Sequence, residues 1–289
     1  MQEIIQQFLI EGEQAGMRYS LGAPRSTAAA TSGLQLGQRS GSSLEFREHR
    51  DYQAGDDLRR IDWNAYARSD KLTIKLFRDE ISPHLDLVLD GSRSMALEES
   101  GKLRAATGLA AVLAIAAENA GYTHKTWLLR DWCEPIANSS NRPSLWDNLE
   151  FDYRGNPVEG LARVPPKFRR HGMRALISDL LWLGEPNRVL QQLAQGASSV
   201  LIIQVLAAAD VDPPECGRVR LVDSETDEER EIFIDDRAIR RYRDALARHQ
   251  ENWLRACRQA GAVLVEIISE RIVSDWDLVE LVKIGILKI

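Results

Sequence analysis

Cysteine is scarce in this chain of 289 residues: Cys133, Cys216 and Cys257 stand far apart. An odd count without close spacing excludes a disulfide framework and a cysteine zinc site, and fits a reducing compartment. Histidine adds no metal signature, because His49, His84, His124, His171 and His249 show no HxxxH-like pairing and no Cys or carboxylate at ligand spacing. Basic charge is not in excess. The formal net charge is −6, so the basic face of a nucleic-acid binder is missing and nucleic acid is not expected as a partner. No apolar run approaches the ~18–20 residues of a membrane span. The opening MQEIIQQFLIEGEQAG has no basic lead and too short an apolar run for a signal peptide. A soluble, cytoplasmic protein without a membrane span is expected. The phosphate loop G-x-x-x-x-G-K-[ST], the dinucleotide fingerprint G-x-G-x-x-G after a strand and the elbow G-x-S-x-G are absent as well, which removes the signatures of nucleotide hydrolysis, dinucleotide use and serine esterase chemistry. No catalytic residue is assigned.

What the chain does have is a recurring strand, polar loop and helix. HLDLVLD at 84–90 is β-prone and ends in GSRS; KLRAATGLAAVLAIAAENAG at 102–121 reads as a largely buried helix with a glycine stop. THKTWLLRD at 123–131, MRALISDLL at 173–181 and SVLIIQVLAAA at 199–209 are strand-like, with EPNRVLQQLAQG between the last two. Such alternation predicts an α/β fold with a mostly parallel, doubly wound, Rossmann-like sheet. GRVRLVDSETDEEREIFIDD has two β-prone arms around a charged turn, a hairpin or a long loop. Asp236–Gly261 spaces Ile239, Tyr242, Leu246, Trp253, Leu254 and Cys257 at helical intervals, and AVLVEIIS follows as a strand. Arginines on that helix are mixed with Asp and Glu, so it reads as a solvated face. The texture of residues 1–83 differs, and they are read as a small, partly β N-terminal appendage whose last strand, Leu72–Phe77, leads into an α/β domain over 84–289.

In an open parallel sheet, ligands bind beyond the carboxyl ends of the strands where strand order reverses. One such end carries Asp90-Gly91-Ser92-Arg93-Ser94, a carboxylate and two hydroxyls in a tight loop; another carries Ser178 and Asp179. Oxygen groups of this kind suit a hard cation such as Mg2+. The same residues also serve as turn and N-cap residues, and capping is the favoured reading of so short a pattern taken alone.

LVLDGSRSM before a buried helix, with LISDLL downstream, resembles the metal-ion-dependent adhesion site of von Willebrand factor A domains. GSSLEFREHRDYQAGDDLRRIDWNAYARSDKLTIKLF resembles the hallmark of the bacterial domain-of-unknown-function 58 family, and the likeness continues through AADVDPPECGRVRLVDSETDEEREIFID to the C-terminus. The resemblance implies a von Willebrand factor A-like sheet on which Ser92 and Ser94 touch Mg2+ and Asp90 and Asp179 hold it directly or through water. A third loop should supply threonine in a Gly-Thr-Asp setting; here FDYRGNPVEGLARV places Asn156 and Pro157 there. A neutral Asn amide before Pro157, with its backbone biased toward extended, is the altered third arm. An incomplete shell of this kind leaves a position that a partner's carboxylate fills. Family members are often encoded beside MoxR-type AAA+ ATPases, which implies an adaptor in chaperone-like remodelling or assembly.

DYQAGDDLRRIDWNAYAR interleaves Asp56, Asp57 and Asp62 with Arg59, Arg60 and Arg68, and adds Tyr52, Trp63 and Tyr66. It reads as a loop held by carboxylate–guanidinium pairs, or as a recognition surface in which Arg59, Arg60, Trp63 and Tyr66, together with Arg93, meet a protein partner. The competing reading is a magnesium-dependent phosphohydrolase with Asp90 as nucleophile, although that chemistry normally wants a second carboxylate where Ser92 stands. A third is a module in which the loop is empty and only the Tyr/Trp/Arg surface binds.

Overall fold

The computed structural model of the protein describes residues 1–22, 45–53, 61–69, 71–78, 83–98, 100–213 and 216–289. The chain enters through helix α1 (Gln2–Gly16) and a two-residue strand β1 (Ser20–Leu21). Separately, β2 (Glu45–Asp51) pairs antiparallel with β3 (Thr73–Arg78), with a register shift between Phe46 and Glu48 and helix α2 (Trp63–Ser69) between the strands. Asp62 caps α2: its Oδ1 accepts from the amides of Asn64 and Ala65 at 3.0 and 3.1 Å.

The main unit then alternates as expected. Strands β4 (His84–Asp90), β5 (Thr123–Leu129), β6 (Cys133–Pro135), β7 (Met173–Ser178), β8 (Ser199–Leu206) and β11 (Val263–Ile268) form one sheet in the order β11-β8-β7-β4-β5-β6, parallel except for β6 at the edge. This is the doubly wound arrangement that the alternation and the von Willebrand factor A resemblance imply. The chain leaves β4 toward β5, then returns to lay β7 on the other side, so the order reverses at β4 and β7.

Burial explains the layers. Odd-numbered β4 residues Leu85, Leu87 and Leu89 join the core under α3 (Lys102–Asn119), whereas Val88 joins a second core under α5 (Pro186–Ala194) and α7 (Asp236–Ala260), as the two-residue period of a strand requires. From Ala105 to Ala117 every residue of α3 is buried, because sheet, α1 and α8 (Ser269–Val273) enclose it. Amphipathic α7 buries Leu246, Trp253, Ala256 and Cys257, while the expected core positions Tyr242 and Leu254 stay largely exposed. It starts at Asp235, whose side chain accepts from the Ala238 amide, and stops at Gly261 in the left-handed region. Between α6 (Ala208–Val211) and α7, strands β9 (Gly217–Val222) and β10 (Glu229–Ile234) form a hairpin, the first of the two readings of that segment.

The division at residue 83 needs correcting. Helix α1 lies along α3 with the backbones in contact at Gly12 and Gly108, and β1 pairs with β12 (Leu287–Lys288), so residues 1–22 belong to the α/β unit. The separate unit falls within residues 35–82. Among the described residues no helix is long and apolar enough to cross a membrane.

Candidate functional site

Asp90 ends β4 and Ser178 ends β7, side by side at the point of strand-order reversal. The Asp90 carboxylate is fully buried and accepts four hydrogen bonds: Ser92 N (2.9 Å) and Ser92 Oγ (2.5 Å) on Oδ1, Ser178 Oγ (2.6 Å) and Trp182 Nε1 (2.8 Å) on Oδ2. Burial, and then repulsion from Asp179, push its pKa up to about 6, against the lowering effect of the hydroxyl and amide donors. Ser178 Oγ also accepts from the Leu180 amide at 2.8 Å, and Leu180 takes a left-handed φ of 58° to turn the chain. Trp182 is held edge-to-face by Trp253 of α7, ring centroids 6.1 Å apart.

Asp179 is engaged differently. Its Oδ1 accepts from the Leu181 amide at 3.1 Å and its Oδ2 from Lys102 Nζ at 3.0 Å. Lys102 opens α3 and is buried; its ammonium also lies 3.2 Å from Asp210 Oδ2 on α6. A cation at a helix N-terminus meets the wrong end of the helix dipole, and burial alone pulls an ammonium toward neutrality. The Asp179 and Asp210 carboxylates outweigh that burial and hold the Lys102 pKa above its ordinary value.

The third loop docks through its backbone: Arg93 N donates to Tyr153 O at 2.8 Å and Tyr153 N to Gly91 O at 3.1 Å. Beyond it, Asn156 is the N-cap of α4 (Pro157–Arg163). Its Oδ1 accepts from Val158 N at 3.0 Å and its amide nitrogen donates to Leu183 O. These residues ring a cavity of about 450 Å³ lined by Ser94, Lys102, Asn156, Asp179, Asp210 and Glu225, with Leu97, Leu181 and Leu183 at its margin.

The donor set does not fit a divalent ion. Both Asp90 oxygens are saturated by protein donors, Asp179 Oδ2 is taken by an ammonium, and the single Asn156 oxygen caps a helix. Of the expected ligands, the Ser92 and Ser94 hydroxyls, 3.3 Å apart, are the two left without a stronger protein donor. Among the described residues no group of three or more His, Cys, Asp or Glu is placed to hold a metal.

Residues 48–252 match the family described as protein of unknown function DUF58. The chain belongs to this family. An uncharacterized protein of Mycobacterium tuberculosis and another of Mycobacterium bovis are each 29% identical over 263 residues, 84% of this chain and 80% of theirs. An uncharacterized protein of Mycobacterium avium is 37% identical over 132 residues, 45% of this chain and 76% of its own. Among solved structures, the conserved hypothetical protein BatB of Bacteroides thetaiotaomicron aligns with TM-score 0.37 and 14% identity, covering 70% of this chain and 98% of BatB. A von Willebrand factor type A protein of Catenulispora acidiphila aligns with TM-score 0.34 and 11% identity over 71% of this chain and 43% of its own.

In this DUF58 chain the expected residues divide. Asp90, Ser92, Ser94, Asp179 and Asn156 do converge on one edge, but Asn156 serves as a cap rather than a ligand. Arg93 sits on the same edge, and its guanidinium pairs with Asp227 of the β9–β10 turn at 2.5 Å. Trp63 and Tyr66 lie on α2, exposed by 61% and 38% and edge-to-face with each other at 6.3 Å, so Trp63 is not a pin within a core. Arg59 and Arg60 lie outside the described residues. Sequence reasoning missed Lys102, Asp210, Trp182 and Leu183. For Lys102 a signal existed: a lysine opening an alanine- and leucine-rich helix that follows a strand end bearing Asp.

Proposed function

We propose that this DUF58 protein is a non-enzymatic interaction module that docks a protein partner on the sheet edge formed by Asp90–Leu97, Asn156 and Asp179–Leu183. The observation that carries this reading is the margin of the cavity. Leu183 is 88% exposed, and Leu97 and Leu181, both more than a third exposed, flank it around a polar floor. Leucines left in water beside a satisfied polar network gain stability only when another surface covers them. The resemblance points to a MoxR-type AAA+ ATPase as the partner, and the scattered cysteines fit a cytoplasmic setting.

The phosphohydrolase alternative needs Asp90 as a nucleophile. Its carboxylate is fully buried and every oxygen is already bonded, so an attacking trajectory would first require the loop to come apart.

The test is calorimetric titration of the full chain with a purified MoxR-type ATPase from the same organism. Leu183→Asp should weaken binding at least tenfold with an unchanged thermal midpoint, because its side chain is in water in the free protein. Equal affinity of Leu183→Asp and wild type would remove this edge as the docking surface.

A further inference from the structure

The edge that the family resemblance assigns to a divalent ion already holds a cation of its own. We infer that the Lys102 ammonium is the resident counter-ion of this edge, neutralising Asp179 and Asp210 in place of a metal, so that the loop is assembled in the absence of divalent ions. Three features support this independently of any partner.

Position comes first. Lys102 Nζ stands 3.0 Å from Asp179 Oδ2 and 3.2 Å from Asp210 Oδ2, so one charge bridges the loop after β7 and the short helix after β8. Bridging the strand-end loops is the mechanical task that an ion performs in an oxygen-lined site.

Burial is the second. The Lys102 side chain is only 2% exposed and that of Asp179 is 0% exposed. A lysine is almost never enclosed to this extent unless it is paired. Its stem lies at the head of a largely buried helix, where methionine would fill the same space but leave Asp179 and Asp210 without their counter-charge.

The third is competition. A divalent ion on Asp179 would sit next to a fixed ammonium in a partly enclosed site, where like charges repel far more strongly than in water. Asp179 Oδ1 is turned to the Leu181 amide and Gln204 Nε2 holds the Asp179 carbonyl at 2.9 Å, so the carboxylate is fixed toward the lysine.

The experiment uses the full chain and Mn2+ as the probe, followed by electron paramagnetic resonance, with thermal unfolding in parallel. Wild type should show no stoichiometric Mn2+ and the same midpoint in Mg2+ as in EDTA. Lys102→Met, which keeps the stem and removes the charge, should lower the midpoint by about 10 °C or fail to fold, while Lys102→Arg stays folded. Binding of one Mn2+ by wild type, lost in Asp179→Asn, would overturn the inference, as would a Lys102→Met midpoint equal to wild type. Neither readout involves the partner, so this inference and the docking reading fail separately.

Discussion

Lys102 Nζ donates to Asp179 Oδ2 across 3.0 Å with both side chains out of water, joining the first turn of α3 to the loop after β7. Removing one member of such a pair leaves an uncompensated buried charge, at a cost of about 3–5 kcal/mol. The two singles should not be equal. After Asp179→Asn the ammonium keeps Asp210, whereas after Lys102→Met the Asp179 carboxylate keeps, among the described residues, the Leu181 amide alone. Urea unfolding should therefore give a larger loss for Lys102→Met than for Asp179→Asn. The double variant should lose less than the sum by about 1 kcal/mol or more. Strict additivity would mean that the pair is not formed in solution.

Asp90 provides the pH dependence. Its pKa of about 6 in the fold exceeds the ordinary 3.8 because burial, and then Asp179, disfavour the charged form. A group with a raised folded pKa contributes stability that is fully present below the unfolded value and is lost as pH rises through the folded one. The unfolding free energy of wild type relative to Asp90→Asn should therefore fall between about pH 4 and pH 6 and level off above. Unfolding curves collected in urea across that range would check it; a difference that rises with pH would show Asp90 to be charged at no penalty.

Much of the sheet was legible because its signals are local. Apolar strands of β-prone residues, Asp235 before a helix and Gly261 after it each carry their instruction within a few residues. The hidden parts depend on long-range pairing. That Asp179 meets Lys102 rests on separation by 77 residues, and that Trp182 meets Asp90 on 92; no short motif encodes either. The family pattern makes Asn156 a substituted ligand, whereas Asn-Pro is also the signature of a helix start, and the fold uses the latter. Helix α1 gives a weak local signal for the main unit because its docking face mixes Ile5 and Leu9 with Gly12, Glu13, Ala15 and Gly16, and hydropathy weighs the small and charged residues lightly.

That face supplies the next expectation. A Cβ built on Gly12 meets the backbone of Gly108, and one on Gly108 meets the Trp276 ring. Helix propensity alone would make Gly→Ala favourable by about 1 kcal/mol. Overpacking costs about 1–3 kcal/mol, and here the obstructing atoms are backbone and a buried indole, which cannot swing aside. Gly12→Ala and Gly108→Ala should each destabilise in urea. A gain for Gly12→Ala would mean that α1 does not lie on α3.

The hairpin turn is the remaining relationship with a functional consequence. Arg93 comes from the loop after β4 and Arg154 from the loop before α4, yet both guanidinium groups pair with the single carboxylate of Asp227. The two arginines, Arg154 first, hold the Asp227 pKa below its ordinary value. Residues Asp223, Ser224 and Glu225 of the same turn line the cavity bounded by Leu183, so the pairing draws the turn over the proposed docking edge. All three side chains are partly in water, so the contact is screened by salt and contributes little to global stability. Asp227→Ala should leave the thermal midpoint unchanged while exposing the turn: a glutamyl endopeptidase should cut at Glu225 and Glu228 several-fold faster than in wild type. Wild type in about 0.5 M salt should approach the variant's rate, since the Debye length there is shorter than in physiological buffer. If the turn restricts access to the edge, Asp227→Ala should also bind the partner more tightly through a faster association rate. Unchanged cleavage together with unchanged association would show that the turn neither depends on these arginines nor covers the edge.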